Sequence, residues 1–329
     1  MKGIQLWFAR NNGALFALFL FVAMFAIYVV KNGVGLRIGL VTAVANKGVL
    51  LALVAMAQTL PILTSGLDLS VGSIFVLTNC IASIILSGPP WMVAAGIIAV
   101  LLSGVVCGAI NGALVVYGRL QPIIATLATG AVYNGLALII RPVPGGSVEP
   151  TFAAALTTQI FGAVPTTLVI LLVVVLVVWV PFRLSLTGLG CYAIGSSELA
   201  AYMTGIPVQR SRLAAYVFAG LLAAIGGLLL TTMTLSGDAS ATSGGIYTLS
   251  SIAAVVIGGT SLMGGVGGAV GSIFGAFVLR EVSDLLFVFD IQPLVQPFIQ
   301  GLILLGAVSL GAIRVLRAPN RLEFLGVGR

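Results

Sequence analysis

The sequence predicts an all-α integral membrane protein with about ten transmembrane helices. Of its 329 residues, 60% are hydrophobic and 7% are charged, whereas soluble domains average about 25% charged residues. The mean hydropathy is +1.21. Apolar runs recur along the whole chain, and they lack the alternating polarity of a membrane β-barrel. At about 20 residues per span plus short loops, the chain has room for about eight to ten spans.

Ten apolar segments follow one another, mostly separated by turns rich in glycine, proline or asparagine. The first ends at Lys31-Asn32-Gly33. It lacks a clear small-residue cleavage site, so it is interpreted as a retained span rather than a signal peptide. Segment Phe152–Phe161 is too short to span and is expected to lie along the membrane surface. The predicted spans are 13–30, 48–63, 70–86, 91–117, one that follows the turn 118–122 and ends at 140, 164–180, 213–233, one beginning near 246, one ending near 280, and 294–313.

The basic residues predict the orientation of these spans. Ten of the 15 Lys and Arg residues fall on the side of both termini and of the stretch Arg183–Arg212, and five fall on the other side. Cytoplasmic loops carry the excess of Lys and Arg. Both termini are therefore predicted to be cytoplasmic. The net charge of +7 is attributed to this asymmetry rather than to nucleic-acid binding.

Several kinds of site are excluded by residue type. Histidine is absent, and Cys80, Cys107 and Cys191 lack CxxC spacing, which argues against a metal site or a disulfide. The glycine-rich turn 258–268 contains neither GxxxxGK[ST] nor a GxGxxG that follows a strand, so nucleotide binding by this chain is not expected. With few acids in the spans, no catalytic residue is assigned and an enzyme is not expected.

Glycines at four-residue spacing predict close packing of helices. The five-residue sequence Val71–Phe75 recurs as Val270–Phe274. This repeat could arise by chance, and the alternative is that half of the chain is a duplication of the other half. The two glycine stripes are Gly104, Gly108 and Gly112, and Gly267, Gly271 and Gly275.

The stretch Arg183–Arg212 is the longest interval without a strong apolar run. Ser196-Ser197-Glu198 offers N-cap chemistry, Leu199–Met203 can form about one and a half turns of helix, and Gly205 with Pro207 ends it. A short amphipathic helix is predicted here. The alternative is an ordinary solvated loop between two spans.

A second polar stretch, 64–73, interrupts two apolar runs and predicts a helix break at or near membrane depth. Asp68 within it is costly if it faces lipid at the bilayer centre, so it is expected at an interface or facing protein. The alternative role for Asp68 is the N-cap of a helix that begins near Ser70.

Four segments in order resemble the permease subunits of bacterial ABC importers of the ribose/xylose/galactose type, within the branched-chain amino acid/sugar permease superfamily. The resemblance covers about 48–313. Two departures from the usual pattern are Cys191 after Gly190, and Gln121, which could alter the cytoplasmic mouth. The similar segments are SGLDLSVGS at 65–73, NGALV at 111–115 with QPIIATL at 121–127, YAIG at 192–195 through 200–206, and VVIGGTSL at 255–262 with Gly264-Gly265.

The resemblance implies a type II ABC importer fold: a single transmembrane permease domain, 1–329, in the bacterial inner membrane. It also implies a second permease, identical or sister, two cytosolic ATP-binding subunits and an external substrate-binding protein. ATP and Mg then belong to the ATPase subunits, and this chain binds no cofactor. The family's coupling helix, which docks on the ATPase, falls on Ser196–Gly205. The residues assigned to coupling are Ser196, Ser197, Glu198, Ala200, Ala201, Gly205 and Ile206.

A permease for a polyhydroxylated solute needs few, dispersed polar groups, since tight binding at the midplane would slow release. Polar residues within or beside the spans are candidates for lining such a path, and hydrogen bonding between helices is the alternative role for each of them. No buried carboxylate–cation pair is expected within a span, which argues against an ion-coupled secondary transporter. A permease for branched-chain amino acids or nucleosides remains the nearer alternative. The path and helix-break residues are Asp68, Ser70, Asn79, Asn111, Thr126 and Asn134.

Overall fold

Among the described residues, the helix Ile38–Leu63 contains the longest continuous buried run, since every residue from Gly48 to Leu63 is buried. A helix that is apolar all round requires neighbours on all sides. Its neighbours include the helices Val71–Ile85, Val208–Thr234, Ala241–Ile257 and Ala269–Val288.

The computed structural model describes residues 2–33 and 35–292 and, beyond these, positions 294, 295, 298, 299, 301–303, 305, 306 and 309. Half of the expected tenth span, 294–313, therefore lies outside the described residues. The helices are α1 Lys2–Lys31, α2 Ile38–Leu63, α3 Val71–Ile85, α4 Pro90–Val116, α5 Pro122–Ile140, α6 Pro150–Thr157, α7 Thr166–Val174, α8 Val180–Leu184, α9 Leu186–Ser196, α10 Glu198–Met203, α11 Val208–Thr234, α12 Ala241–Ile257 and α13 Ala269–Val288.

Two short elements complete the described part. A π-helical turn, Val175–Trp179, joins α7 to α8 in one continuous rod. The strands β1 (Gln159–Ile160) and β2 (Val164–Pro165) form a small antiparallel hairpin. The segment expected along the membrane surface is thus the helix α6 followed by this hairpin.

The prediction of a helical membrane protein is confirmed: 77% of the described residues are helical. Within the described residues, six helices are long and apolar enough to cross a bilayer. The shorter apolar helices α3 and 244–257 of α12 are below that length. The six are Asn12–Lys31, Ile38–Leu63, Pro90–Val116, Pro122–Ile140, Thr166–Leu184 and Val208–Thr234.

Two predicted helix ends are wrong, and one contact explains both. Helix α2 begins at Ile38 rather than near 48, and α13 continues to Val288 rather than ending near 280. The charged residues that suggested loops pair with each other: Lys47 Nζ lies 2.7 Å from Asp284 Oδ1. Because each charge has its partner, neither has to end its helix. The Lys47 side chain of this pair is 47% exposed, so the pair is not a buried one.

In both glycine stripes the glycines within helices pack against a neighbouring backbone, as predicted, whereas Gly267 lies in the turn before α13. A methyl group on Gly104 would be 2.5 Å from the carbonyl oxygen of Gly220, and one on Gly108 would overlap that of Tyr216, so α4 lies directly on α11. Gly271 and Gly275 meet the backbone of α12 at Gly258 and Ala254.

The repeated string opens a helix at both of its occurrences. Val71 begins α3, and Val270 is the second residue of α13. Its glycine packs on α12 each time, Gly72 against Gly244 near the start and Gly271 against Gly258 just past the end. The two strings therefore contact α12 near its two ends.

Replacement of Gly108 by alanine is expected to destabilise the protein, by about 1–3 kcal/mol through overpacking. The measurement is thermal unfolding of the purified variant. The matched control is Gly135→Ala in α5, where no atom lies near the added methyl group; it should be neutral or slightly stabilising, since alanine favours helix over glycine. Equal effects of the two changes would contradict the close α4–α11 contact.

Candidate functional site

The break between α2 and α3, residues 64–70, is organised around Asp68. Its side chain is fully buried. One carboxylate oxygen, Oδ1, accepts hydrogen bonds from the backbone N–H of Ser70 at 2.9 Å and from the Ser70 hydroxyl at 2.6 Å. Burial raises the pKa of the Asp68 carboxyl, and the hydrogen bonds from Ser70 oppose this rise by a smaller amount. The alternative that Asp68 is the N-cap of α3 is wrong, because the N-cap is Ser70. Asp68 instead orders the entry to α3 by accepting from Ser70.

The Ser70 hydroxyl extends this contact to two more helices. It accepts a hydrogen bond from Asn111 Nδ2 of α4 at 2.6 Å. Asn111 Oδ1 in turn accepts from the Tyr133 hydroxyl of α5 at 3.2 Å. We call Asp68, Ser70, Asn111 and Tyr133 the Asp68 network. It joins the loop to α3, α4 and α5 through buried polar groups.

Thr126 holds the same loop from α5. Its hydroxyl accepts a hydrogen bond from the Leu69 N–H at 2.9 Å and donates to the Pro122 carbonyl oxygen at 2.8 Å. Four of the residues singled out in the sequence therefore meet here. Tyr133 was not singled out, although it lies seven residues after Thr126 and so shares its helix face.

Asn79 and Asn134 lie elsewhere. The Asn79 amide joins α3 to α11 and to the loop after it, donating to Thr231 Oγ1 at 2.8 Å and to the Ser236 carbonyl at 3.1 Å, and accepting from the Asp238 N–H at 3.0 Å. Asn134 Oδ1 is buried without a hydrogen-bond partner among the described residues. A methyl group on Gly244 of α12 would be 3.2 Å from that oxygen.

The predicted short helix of the 183–212 stretch is present as α10. Ser197 is its N-cap and accepts from the Ala200 N–H at 3.3 Å. Gly205 follows it with φ +79°, a left-handed conformation that suits glycine. Ser196 ends the preceding helix α9, and its hydroxyl donates to the Tyr192 carbonyl. The Ile206 N–H donates to the Ala201 carbonyl and closes the turn.

The face that α10 presents differs from the expected one. Ala201 is only 3% exposed and packs within the chain, so it is not available for close approach by a partner. A tryptophan at position 201 would therefore overpack the interior of this chain rather than the surface of a partner. Ala200 is exposed. The large exposed side chains are Leu199, Tyr202 and Met203, at 68, 73 and 78%. Their i, i+3, i+4 spacing places them on one side of the helix.

Glu198 is also used within the chain. Its two carboxylate oxygens accept from the Arg212 guanidinium at 2.9 and 2.6 Å. This bidentate pair ties α10 to the start of α11. A role of Glu198 toward a basic rim on another protein would require this pair to open.

A cleft of about 1120 Å³ lies beside α10. Its walls come from the 64–66 segment, the turn between α4 and α5, and the start of α11. Arg119 and Arg210 are exposed at this cleft, while Arg212 is paired with Glu198. The cleft is therefore basic, and the apolar residues Leu199 and Tyr202 form part of its lining.

The glycine-rich turn 258–268 packs the end of α9 against the Asp68 loop. The Gly265 N–H donates to the Leu63 carbonyl at 3.1 Å, and the Ser65 hydroxyl donates to the Met263 carbonyl at 2.7 Å. A methyl group on Gly265 would be 2.6 Å from Ser196 Oγ. The end of α2, the end of α9 and this turn are thus in direct contact.

At the other end of α3, the loop 141–148 is fastened to the bundle. The Arg141 guanidinium donates to Ser83 Oγ at 2.9 Å and to the Ser83 carbonyl at 3.0 Å. Gly145 and Gly237 exchange two backbone hydrogen bonds, at 3.0 and 2.8 Å. The Ser147 N–H donates to the same Ser83 carbonyl at 3.1 Å.

An apolar helical bundle whose buried polar groups are mainly amides and hydroxyls joined across helices is typical of a multi-pass membrane transport protein. The chain belongs to the family described as branched-chain amino acid transport system / permease component, whose model matches residues 40–308. A permease of this family is a transporter component and is not itself an enzyme.

Relatives cover most of the chain. It is 37% identical over 271 residues to a probable ABC transporter permease of Sinorhizobium fredii, covering 81% of this chain and 79% of the relative. It is 36% identical over 264 residues to the ribose import permease RbsC of Haemophilus influenzae, covering 78 and 80%. It is 30% identical over 274 residues to the D-allose transport system permease AlsC of Escherichia coli, covering 82% of each. None of the solved structures compared with the chain matches it.

Proposed function

We propose that this chain is the permease subunit of an ATP-binding-cassette importer that passes a monosaccharide or related polyol-like solute across the bacterial inner membrane. The observation that carries the proposal is its similarity to ribose and allose permeases over about four fifths of both chains. A permease for branched-chain amino acids or nucleosides is not favoured by these relatives, nor is an ion-coupled secondary transporter.

The proposed assembly contains a second permease, identical or sister, two cytosolic ATP-binding subunits and an external substrate-binding protein, in membrane lipid and without nucleic acid. ATP and Mg act on the ATP-binding subunits, and this chain binds no cofactor. The proposed topology has ten spans in one permease domain, 1–329, of the type II importer kind, with both termini in the cytoplasm.

The proposed docking site for the ATPase is α10 with the basic cleft beside it. Leu199, Tyr202 and Met203 form an exposed apolar face on a helix of six residues. Arg119 and Arg210 border it with positive charge. A partner surface with an apolar pocket and an acidic rim fits this combination, since complementary charges set the orientation and speed of docking.

The proposed solute path passes the α3, α5 and α12 region. The Asp68 network and Thr126 shape its cytoplasmic side. Asn134 is the strongest candidate for direct contact with a solute hydroxyl, because its Oδ1 has no partner among the described residues and faces Gly244, which adds no side chain.

The proposed function is tested by reconstitution. The permease is placed in vesicles with the ATPase and the external binding protein encoded beside it, and uptake of radiolabelled ribose, allose and leucine is compared with and without ATP. ATP-dependent uptake of a monosaccharide but not of leucine is expected. Uptake that proceeds without ATP or without the ATPase would refute the importer.

Cysteine labelling is expected to place the 144–148 loop outside the cell. Ser147 is exposed, so Ser147→Cys should react with a membrane-impermeant thiol reagent in intact cells. Gln209, exposed beside the basic cleft, provides the opposite control, since Gln209→Cys should react only after the cells are opened. The native cysteines are all buried and give little background. Labelling of Gln209→Cys but not of Ser147→Cys in intact cells would show that the topology is the reverse of the one proposed.

A further inference from the structure

Two buried polar atoms near the 64–70 loop have no hydrogen-bond partner among the residues that the structure describes. They are the second carboxylate oxygen of Asp68, Oδ2, and the hydroxyl of Tyr216 on α11. Their side chains are 0 and 1% exposed. Buried polar atoms are nearly always paired, because an unpaired one raises the free energy of the conformation that contains it.

The Tyr216 hydroxyl lies against the loop that carries Asp68. A methyl group on Gly66 would be 2.9 Å from the Tyr216 hydroxyl oxygen, and Asp68 follows two residues later. The phenol therefore faces the loop that carries Asp68. Glycine at position 66 leaves space that a larger side chain would fill.

Tyr216 is also connected to α10. It lies one helical turn after Arg212 on α11, and residues four apart lie on the same side of a helix. Arg212 holds both carboxylate oxygens of Glu198 on α10. The Glu198–Arg212 pair therefore joins α10 to the part of α11 that carries Tyr216.

We propose that Tyr216 is a positioning residue whose hydroxyl donates to the free oxygen of Asp68 in a second conformation of the permease. Through this contact, movement of α10 reaches the Asp68 network and, with it, α3, α4 and α5. The inference rests on the proposed function, since ATP-driven movement of α10 is what Tyr216 transmits.

The test is Tyr216→Phe in the complete transporter. In the conformation described, the change removes an unpaired hydroxyl, so the unfolding temperature of the permease is expected to rise by about 2 °C. In the second conformation it removes a hydrogen bond to a carboxylate. Uptake per ATP hydrolysed and stimulation of ATP hydrolysis by the loaded binding protein are therefore expected to fall about tenfold. Co-purification of the ATPase should be unchanged.

Tyr133→Phe is the matched control for stability. The Tyr133 hydroxyl donates to the Cys107 carbonyl oxygen and to Asn111 Oδ1, so its removal should lower the unfolding temperature. Asp68→Asn combined with Tyr216→Phe completes the test. Because both changes weaken the same contact, their fold-losses of uptake should not multiply.

Three results would overturn the proposal: uptake per ATP in Tyr216→Phe equal to the unmodified protein, a lower unfolding temperature for that variant, or fold-losses that multiply with Asp68→Asn. Failure of the unmodified complex to take up solute with ATP is a different result, because it would overturn the proposed function.

Discussion

Tyr202→Ser combined with Leu199→Ser is expected to abolish ATP-driven uptake. The two side chains are 73 and 68% exposed and lie on the same side of α10, so their loss should leave the fold intact. Truncation of a central apolar anchor costs about 2 kcal/mol or more of binding, which is about a thirtyfold loss per residue. The measurement is co-purification of the ATPase together with uptake in vesicles.

Two controls define the result of this experiment. Tyr202→Phe keeps the apolar ring and should retain docking. Phe161→Ser removes a fully exposed aromatic side chain from the hairpin after α6, away from the proposed docking site, and should leave the ATPase bound. If the double variant binds the ATPase normally, α10 is an ordinary loop helix and the docking site must be sought first at the turn 258–268.

Asp68→Leu is expected to destabilise the permease by about 3 kcal/mol and to remove transport, because it leaves the Ser70 N–H and hydroxyl without their acceptor. Asp68→Asn keeps an acceptor oxygen of the same shape and should retain most of the stability. Thermal unfolding separates the two variants, and uptake is measured at matched expression. Complete loss of transport in Asp68→Asn, with normal stability, would indicate that the charge itself is needed.

The stability of the protein should also depend on pH through this carboxyl. Burial raises the folded-state pKa of Asp68 above its unfolded value, so the folded state binds the proton more tightly. The corresponding stability is fully present below the unfolded pKa and is lost as the pH rises through the folded pKa. Asp68→Asn should remove this part of the pH dependence in unfolding experiments.

The sequence predicted the elements that local chemistry determines. Ser197 as an N-cap and Gly205 as a stop are properties of adjacent residues, and α10 has those bounds. The stripe at Gly104 and Gly108 predicted a close helix contact, though its partner α11 could not be read from spacing.

Features that depend on long-range contacts could not be predicted. Lys47 and Asp284 are 237 positions apart, so each was interpreted as a loop residue, and two helix ends were misplaced as a result. Ala201 and Leu199 are both small-to-medium apolar residues on one short helix, and only packing determines that Ala201 is the buried one. Tyr133 was missed because a tyrosine in an apolar span is indistinguishable from lipid-facing aromatics until its hydroxyl has a partner.

The hydrogen bonds between Gly145 and Gly237 and from Arg141 to Ser83 bear on how quickly an external protein can engage. Ordering a free loop costs about 1–2 kcal/mol per residue, and that cost would be incurred at each encounter if the 141–148 segment were unfastened. Here the segment is held before any partner arrives. With this loop outside the cell, as proposed, the loop does not have to become ordered when the binding protein associates or disordered when it dissociates. Association and dissociation of the binding protein can therefore both be fast.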